Sequence, residues 1–210
     1  MAFLRAVLLA FRRLRYPGSA RYWERRYARG RDSGSGSAGR LARYKADFLN
    51  NLVREHNIQS VIEFGCGDGR QLRLADYPAY TGLDIAPSAV ARCRQLFAAD
   101  ATKRFVVYQP LAFKPGDFQA DLALSLEVIF HLTEDDLYET HLRHLFASAR
   151  RRVVIFAADE DRTTPFPHFR PRRFSPDVPA GWALRAREPN PLRAISVSDF
   201  FIFENICAQS

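Results

Sequence analysis

The stretch Val61-Ile-Glu-Phe-Gly-Cys-Gly-Asp-Gly69 decides the fold. Its first four residues read as a short buried strand carrying one carboxylate, Glu63, and the chain passes straight from them into Gly65-x-Gly67-x-Gly69. Glycines there let the backbone turn tightly and approach a ligand, and the helix that follows presents free amides at its start. Such a loop calls for a ligand at the carboxyl end of the strand, where open α/β sheets bind theirs. Fifteen residues after Gly69 the next strand, YTGLD, ends in Asp84, placed to accept hydrogen bonds from both hydroxyls of a ribose.

Outward from this loop, strands and helices alternate. SVIEF, YTGLD, RFVVY, LALSL and RVVIFA are short runs of β-formers and predict five parallel strands. WALRA near Trp182 and SDFFIFENI from Ser198 predict two more, closing the sheet in hairpin fashion after a Pro-rich stretch. The expected fold is α/β, a Rossmann-like doubly wound, mostly parallel seven-stranded sheet with an antiparallel last strand, plus an N-terminal helical extension. Leu41 to His56 predicts a helix packed on the sheet through Leu41, Tyr44, Phe48 and Leu52. Thr133 to Asp136 reads as a capping box opening a helix through Leu137, His141, Leu142 and Leu145. Residues 1–45 form a basic extension in this reading, and 46–210 the catalytic domain.

Two nucleoside cofactors suit a glycine loop followed by an acidic strand end, and the spacing separates them. A nicotinamide-binding GxGxxG needs glycine three residues after Gly67, where this chain has Arg70. Glu63 also repels a diphosphate but suits the cationic methionine end of S-adenosylmethionine (SAM). A P-loop is excluded by the missing Gly-Lys-Ser/Thr. With the fourth-strand segment ADLALSLEVIFHL, Ala120 to Leu132, these elements resemble the class I SAM-dependent methyltransferases over residues 60–157. The flanks are similar to bacterial members with a GxGS-type segment, here Ser33 to Ser37, and an HxRxRRF-like one, here His168 to Phe174. The resemblance implies SAM as cofactor, contacted by Glu63, Gly65, Cys66, Gly67, Gly69, Asp84, Ile85, Gln109 and Leu126. Gln109 stands where many relatives hold the adenine with an acidic residue; an amide can bond the same edge.

Methyl transfer from an activated sulfonium is accelerated mainly by alignment, and an oxygen acceptor gains from a base. His131, just past the fourth strand, is the first candidate; bracing of the next helix is its other reading. His168 is the second, lying among Arg170, Arg172 and Arg173, which suit an anionic acceptor or simply balance Asp159 to Asp161. Glu127, Arg170, Arg173 and Ser37 are the expected substrate contacts. An Asn/Asp-Pro-Pro-Tyr motif for amine methylation is missing, with Ser125-Leu-Glu127 in its place. The expected activity is therefore methyl transfer to a small-molecule or glycan acceptor at oxygen. An RNA or DNA methyltransferase docking through the basic N-terminus, and a non-catalytic SAM-binding partner protein, are the alternatives.

With 210 residues and 47% hydrophobic composition the chain can bury one core. Its net charge of +8 is uneven: twelve Lys and Arg face two acids up to Lys45, while the remainder carries 19 basic and 21 acidic residues. That segment suits phosphates of nucleic acid or lipid, or is a solvated basic tail. Residues 1–15 predict a basic amphipathic helix, either lying on a membrane surface or packing on protein. Gly30 to Gly39 reads as a loop, a linker or a flap over a ligand. Cys66, Cys93 and Cys207 lack metal-ligand spacing and read as reduced thiols, and no metal is expected. No run approaches a membrane span, so a cytoplasmic protein is expected, with peripheral contact at the inner face of the membrane as the alternative.

Overall fold

A computed structural model describes residues 15–207, so the predicted helix of residues 1–15 lies, but for Arg15, outside the described residues. The predicted sheet is present. Strands β1 (Val61–Phe64), β2 (Tyr80–Asp84), β3 (Lys103–Val107), β4 (Ala120–Leu126), β5 (Ala149–Ala157), β6 (Trp182–Glu188) and β7 (Asp199–Asn205) stand in the order β3-β2-β1-β4-β5-β7-β6. The first five pair in parallel, while β7 inserts antiparallel between β5 and β6. Parallel strands are covered on both faces, which is why β1 and β4 are nearly continuous apolar runs.

Helices α1 (Ser19–Ala28), α2 (Gly39–Glu55), α3 (Pro87–Leu96) and α4 (Asp135–Ala147) complete the frame. The strands' alternating side chains feed two apolar cores. Val61, Leu122 and Leu124 pack with Leu41, Leu49 and Val90 on one face; Ile62, Ala123 and Ile155 pack with Leu142, Leu145 and Phe146 on the other. Each fully buried Leu or Ile contributes about 1.5–3 kcal/mol, so this patterning fixes which face each strand presents. The order of strands reverses beside β1, where β2 and β4 flank it, and the crevice at their carboxyl ends is where a ligand is expected.

Two expectations about boundaries need correcting. Helix α2 runs through residue 45 and buries Leu41, Ala42 and Lys45, so the extension does not end there: its last part belongs to the core. The Thr133–Asp136 capping box does not form. Helix α4 starts at Asp135 without a side-chain cap, because the Glu134 carboxylate turns away to accept the Ser19 amide (2.8 Å) and hydroxyl (2.6 Å). That carboxylate thereby caps α1, which has no capping side chain of its own at Gly18.

Candidate functional site

At the carboxyl ends of β1, β2 and β4 lies a cavity of about 540 Å³, a size common for small-molecule sites. Its floor is the glycine loop. Gly67 adopts φ 57°, and its amide donates to Asp84 Oδ2 at 2.9 Å, while the Ala86 amide donates to Oδ1 at 2.8 Å. One donor per oxygen leaves further lone pairs on the carboxylate, which suits a ribose diol. Burial pushes Asp84 up to about 6, partly offset by these two amides. Glu63 is buried and accepts the Tyr80 hydroxyl at 2.6 Å; burial pushes it up to about 7, against the hydrogen bond and the nearby Lys45 charge.

Lys45, 1% exposed, is a residue that sequence reasoning missed, as are Tyr22 and Trp23 of the lining. Its ammonium lies 3.6 Å from Glu127 Oε2, and the cost of burying it lowers its pKa, opposed by Glu127 and Glu63. One cation between two carboxylates is complementary to a zwitterionic amino-acid group, the methionine end of SAM. The signal was its spacing: Leu41, Lys45 and Leu49 recur every four residues, which puts the lysine on the buried stripe of α2.

Glu127 is bound from three sides. Besides Lys45, it accepts the Ser196 hydroxyl at 2.9 Å, and Gly36 comes so close that a Cβ there would fall 1.7 Å from Oε2. Its backbone sits in the left-handed region at φ 59°, unusual for a non-glycine residue.

The roof comes from the N-terminal segment, with Ser33 to Ser37 among the lining residues. Ser33 makes three hydrogen bonds with Asp68 of the glycine loop: amide to Oδ2 (3.1 Å), hydroxyl to Oδ1 (2.8 Å), and the Asp68 amide back to Ser33 Oγ (3.0 Å). Helix α1 is tied to α3 in turn, since Glu24 accepts the Ser88 amide and hydroxyl and Arg92 donates to the Tyr27 carbonyl. The Gly/Ser stretch is thus anchored over the cavity.

On the far side, His131 and His168 both line the cavity, with Tyr22 and Trp23 of α1. The Nδ1–H of His131 donates to the His168 carbonyl at 2.9 Å, which leaves Nε2 as the unprotonated nitrogen. Burial pushes His131 down to about 4 and lowers His168 as well.

The structure brings together Glu63, Gly65, Cys66, Gly67, Asp84, Ile85, Leu126, Glu127, Ser37, His131 and His168 around this cavity. It sets others apart. Gly69 packs on α3, where a Cβ would meet Phe97 and Cys93. Gln109 is exposed beyond the lining, and Tyr108 takes the place beside the cavity. Arg170 is turned to Asp135 Oδ1 (2.9 Å) and the Thr133 carbonyl (3.0 Å), and Arg173 is exposed outside the lining. His144 is buried and bonded to Tyr108, whereas His141, bonded to Ser125, is buried but does line the cavity.

Residues 61–151 match the methyltransferase-domain family. The small RNA 2'-O-methyltransferase of Arabidopsis thaliana is 27% identical over 112 residues; the match covers 47% of this chain and 12% of that protein's length. Among solved structures, the N-methyltransferase NodS from Bradyrhizobium japonicum, in complex with S-adenosylhomocysteine (SAH), superposes with a TM-score of 0.72 at 17% identity, over 90% of this chain and 98% of its own. The magnesium protoporphyrin IX methyltransferase ChlM from Synechocystis, with bound SAM, gives 0.64 at 12% identity over 91% and 99%. The Asp84 carboxylate, the Lys45 and Glu63 charges and the glycine loop fit SAM, and residues 61–151 of the chain carry a methyltransferase domain.

Proposed function

We propose that the protein methylates a hydroxyl group of a small-molecule or glycan acceptor, with His131 as the base. The observation that carries this reading is the His131–His168 hydrogen bond, which leaves a bare Nε2 on an imidazole that lines the cavity. SAM, when bound, supplies a methyl group already activated on a sulfonium, whose sulfur keeps the electron pair of the broken C–S bond. Asp84 would hold the ribose, and Lys45 with Glu63 and Glu127 the amino-acid end. His131 would take the acceptor's proton as its oxygen gains the methyl carbon. Being neutral above pH 4, the ring is ready to do so across the physiological range.

The test is incubation of the full chain with labelled SAM and a mixture of hydroxyl compounds, in wild type and His131→Gln. Label in a methyl ether, falling roughly a hundredfold in the variant at unchanged SAM affinity, supports the reading. Label on nitrogen, or equal turnover by both proteins, overturns it.

A further inference from the structure

Part of the cavity lining is a cluster of rings. Tyr22 stacks on His168 (centroids 4.5 Å apart, planes at 12°), His168 lies parallel to His131 (6.2 Å, 13°), and Trp23 stands edge-on to His131 (4.8 Å) and Tyr22 (5.5 Å). Ile195 and Val197 also line the cavity, 47% and 43% exposed although large and apolar. A lining that combines rings with exposed aliphatic side chains favours a flat apolar ligand, since ring faces attract rings and apolar area gains from leaving water.

Charge narrows the class further. The cavity is lined by three lysine or arginine side chains among the described residues, and each is already paired. Lys45 faces Glu127; Arg26 donates to the Asp32 carbonyl (2.6 Å) and carboxylate (3.2 Å); Arg193 contacts Asp199 (2.5 Å) and the Val197 carbonyl (2.8 Å). Burial lowers the pKa of all three lining histidines, His131, His141 and His168. The arginines that would have received an anion, Arg170 and Arg172, are spent on Asp135 and on the carbonyls of Leu132 and Thr133. A phosphate or carboxylate entering here would lose its hydration without gaining a cation, a costly exchange. A sugar seated against the ring faces would exchange water for fewer hydrogen bonds there.

We propose that the acceptor is an uncharged planar arene bearing a hydroxyl group, seated against the Tyr22–Trp23–His131–His168 rings and Ile195–Val197. This rests on the O-methylation reading above and names its substrate class. The proton given up by the hydroxyl passes to His131 Nε2, and the oxygen forms its new bond to the methyl carbon as the carbon–sulfur bond breaks. A phenolic hydroxyl ionises near about 10, well below an alkyl alcohol, and so suits a base as weak as a buried imidazole.

The experiment compares 2-naphthol with 6-hydroxy-2-naphthoate, the same ring and hydroxyl with an added carboxylate. Calorimetry on the SAH-loaded full chain reads binding, and labelled SAM reads transfer. Expected are at least about tenfold tighter binding and faster methylation of 2-naphthol, and about tenfold weaker 2-naphthol binding in Trp23→Ala with SAH affinity unchanged. Retained SAH binding shows that this variant is folded. Ile195→Lys, at an exposed position, supplies an unpaired cation and should narrow the preference against the carboxylate. Equal or tighter naphthoate binding overturns the proposal, as does label entering sugars or RNA but not naphthol; both leave hydroxyl methylation standing. Failure of every hydroxyl compound to accept label while SAM still binds overturns both readings together.

Discussion

The two ends of the cavity are built in opposite ways. The cofactor end is assembled mostly from a single stretch: Glu63, Gly65, Gly67 and Asp84 sit on two adjacent strands and the loop between them, within 22 residues of sequence. The acceptor end draws on Tyr22, Trp23, His131, His168 and Ile195, which meet only because α1 is laid across the domain and the chain returns after β5. Backbone amides and buried carboxylates set the chemistry of the first; stacked side chains set that of the second. The first is therefore rigid and specific for one ligand, while the second can change its ligand by changing a few side chains.

The largest effect should come from breaking the cofactor end. Asp84→Ala removes two charge-assisted hydrogen bonds and should weaken SAM binding roughly a thousandfold by calorimetry. Loss of turnover with SAM affinity intact would place the carboxylate's role elsewhere. Gly67→Ala should follow, at about a hundredfold. Its Cβ would meet Ser33 Oγ at 2.4 Å, and φ is positive there, so both the loop and its roof must shift. Unchanged SAM affinity would show that the Ser33 anchor does not shape the cofactor end.

A smaller and more diagnostic effect concerns pH. Glu63 is raised to about 7 and Asp84 to about 6, so each folded carboxyl binds its proton more tightly than the unfolded one. Stability of the SAM-free protein should thus be greatest near the unfolded carboxylate range and fall as pH rises through 6 to 7. Glu63→Gln should flatten that fall, with melting temperatures at pH 5 and 8 converging by about 5 °C. SAM affinity should run the other way in the wild type, rising over the same pH interval as the carboxylates ionise. The smallest change is expected at the other end: because His131 is neutral above about 4, turnover corrected for SAM saturation should be flat from pH 6 to 8. A titration of the saturated rate near 6.5 would mean that an exposed histidine is the base.

The same contrast explains what was legible in the sequence. The strands are short, apolar and punctuated, so local pattern was enough to place all seven and the antiparallel ending. Asp84 and the glycine loop were legible because their geometry is local. Lys45 was not, since a lysine reads as solvent-facing until its partner Glu127, far along the chain, is in place. Tyr22 and Trp23 were passed over as part of a basic extension for the same reason. The arginines near His168 misled in the opposite sense: their proximity in sequence looked like an anion site, but Asp135 and two backbone carbonyls engage the terminal nitrogens of Arg170 and Arg172.

Glu127 carries a consequence for which substitutions such a protein accepts. Its backbone at φ 59° would be more comfortable as glycine or asparagine, so the chain bears strain here that a replacement would relieve. The same replacement would strand the buried Lys45 charge and release Ser196, along with the aliphatic stretch that ends at Val197. Backbone comfort and charge pairing pull against each other at this position, and because an unpaired buried ammonium costs more than the strain, the glutamate holds fold and cavity together.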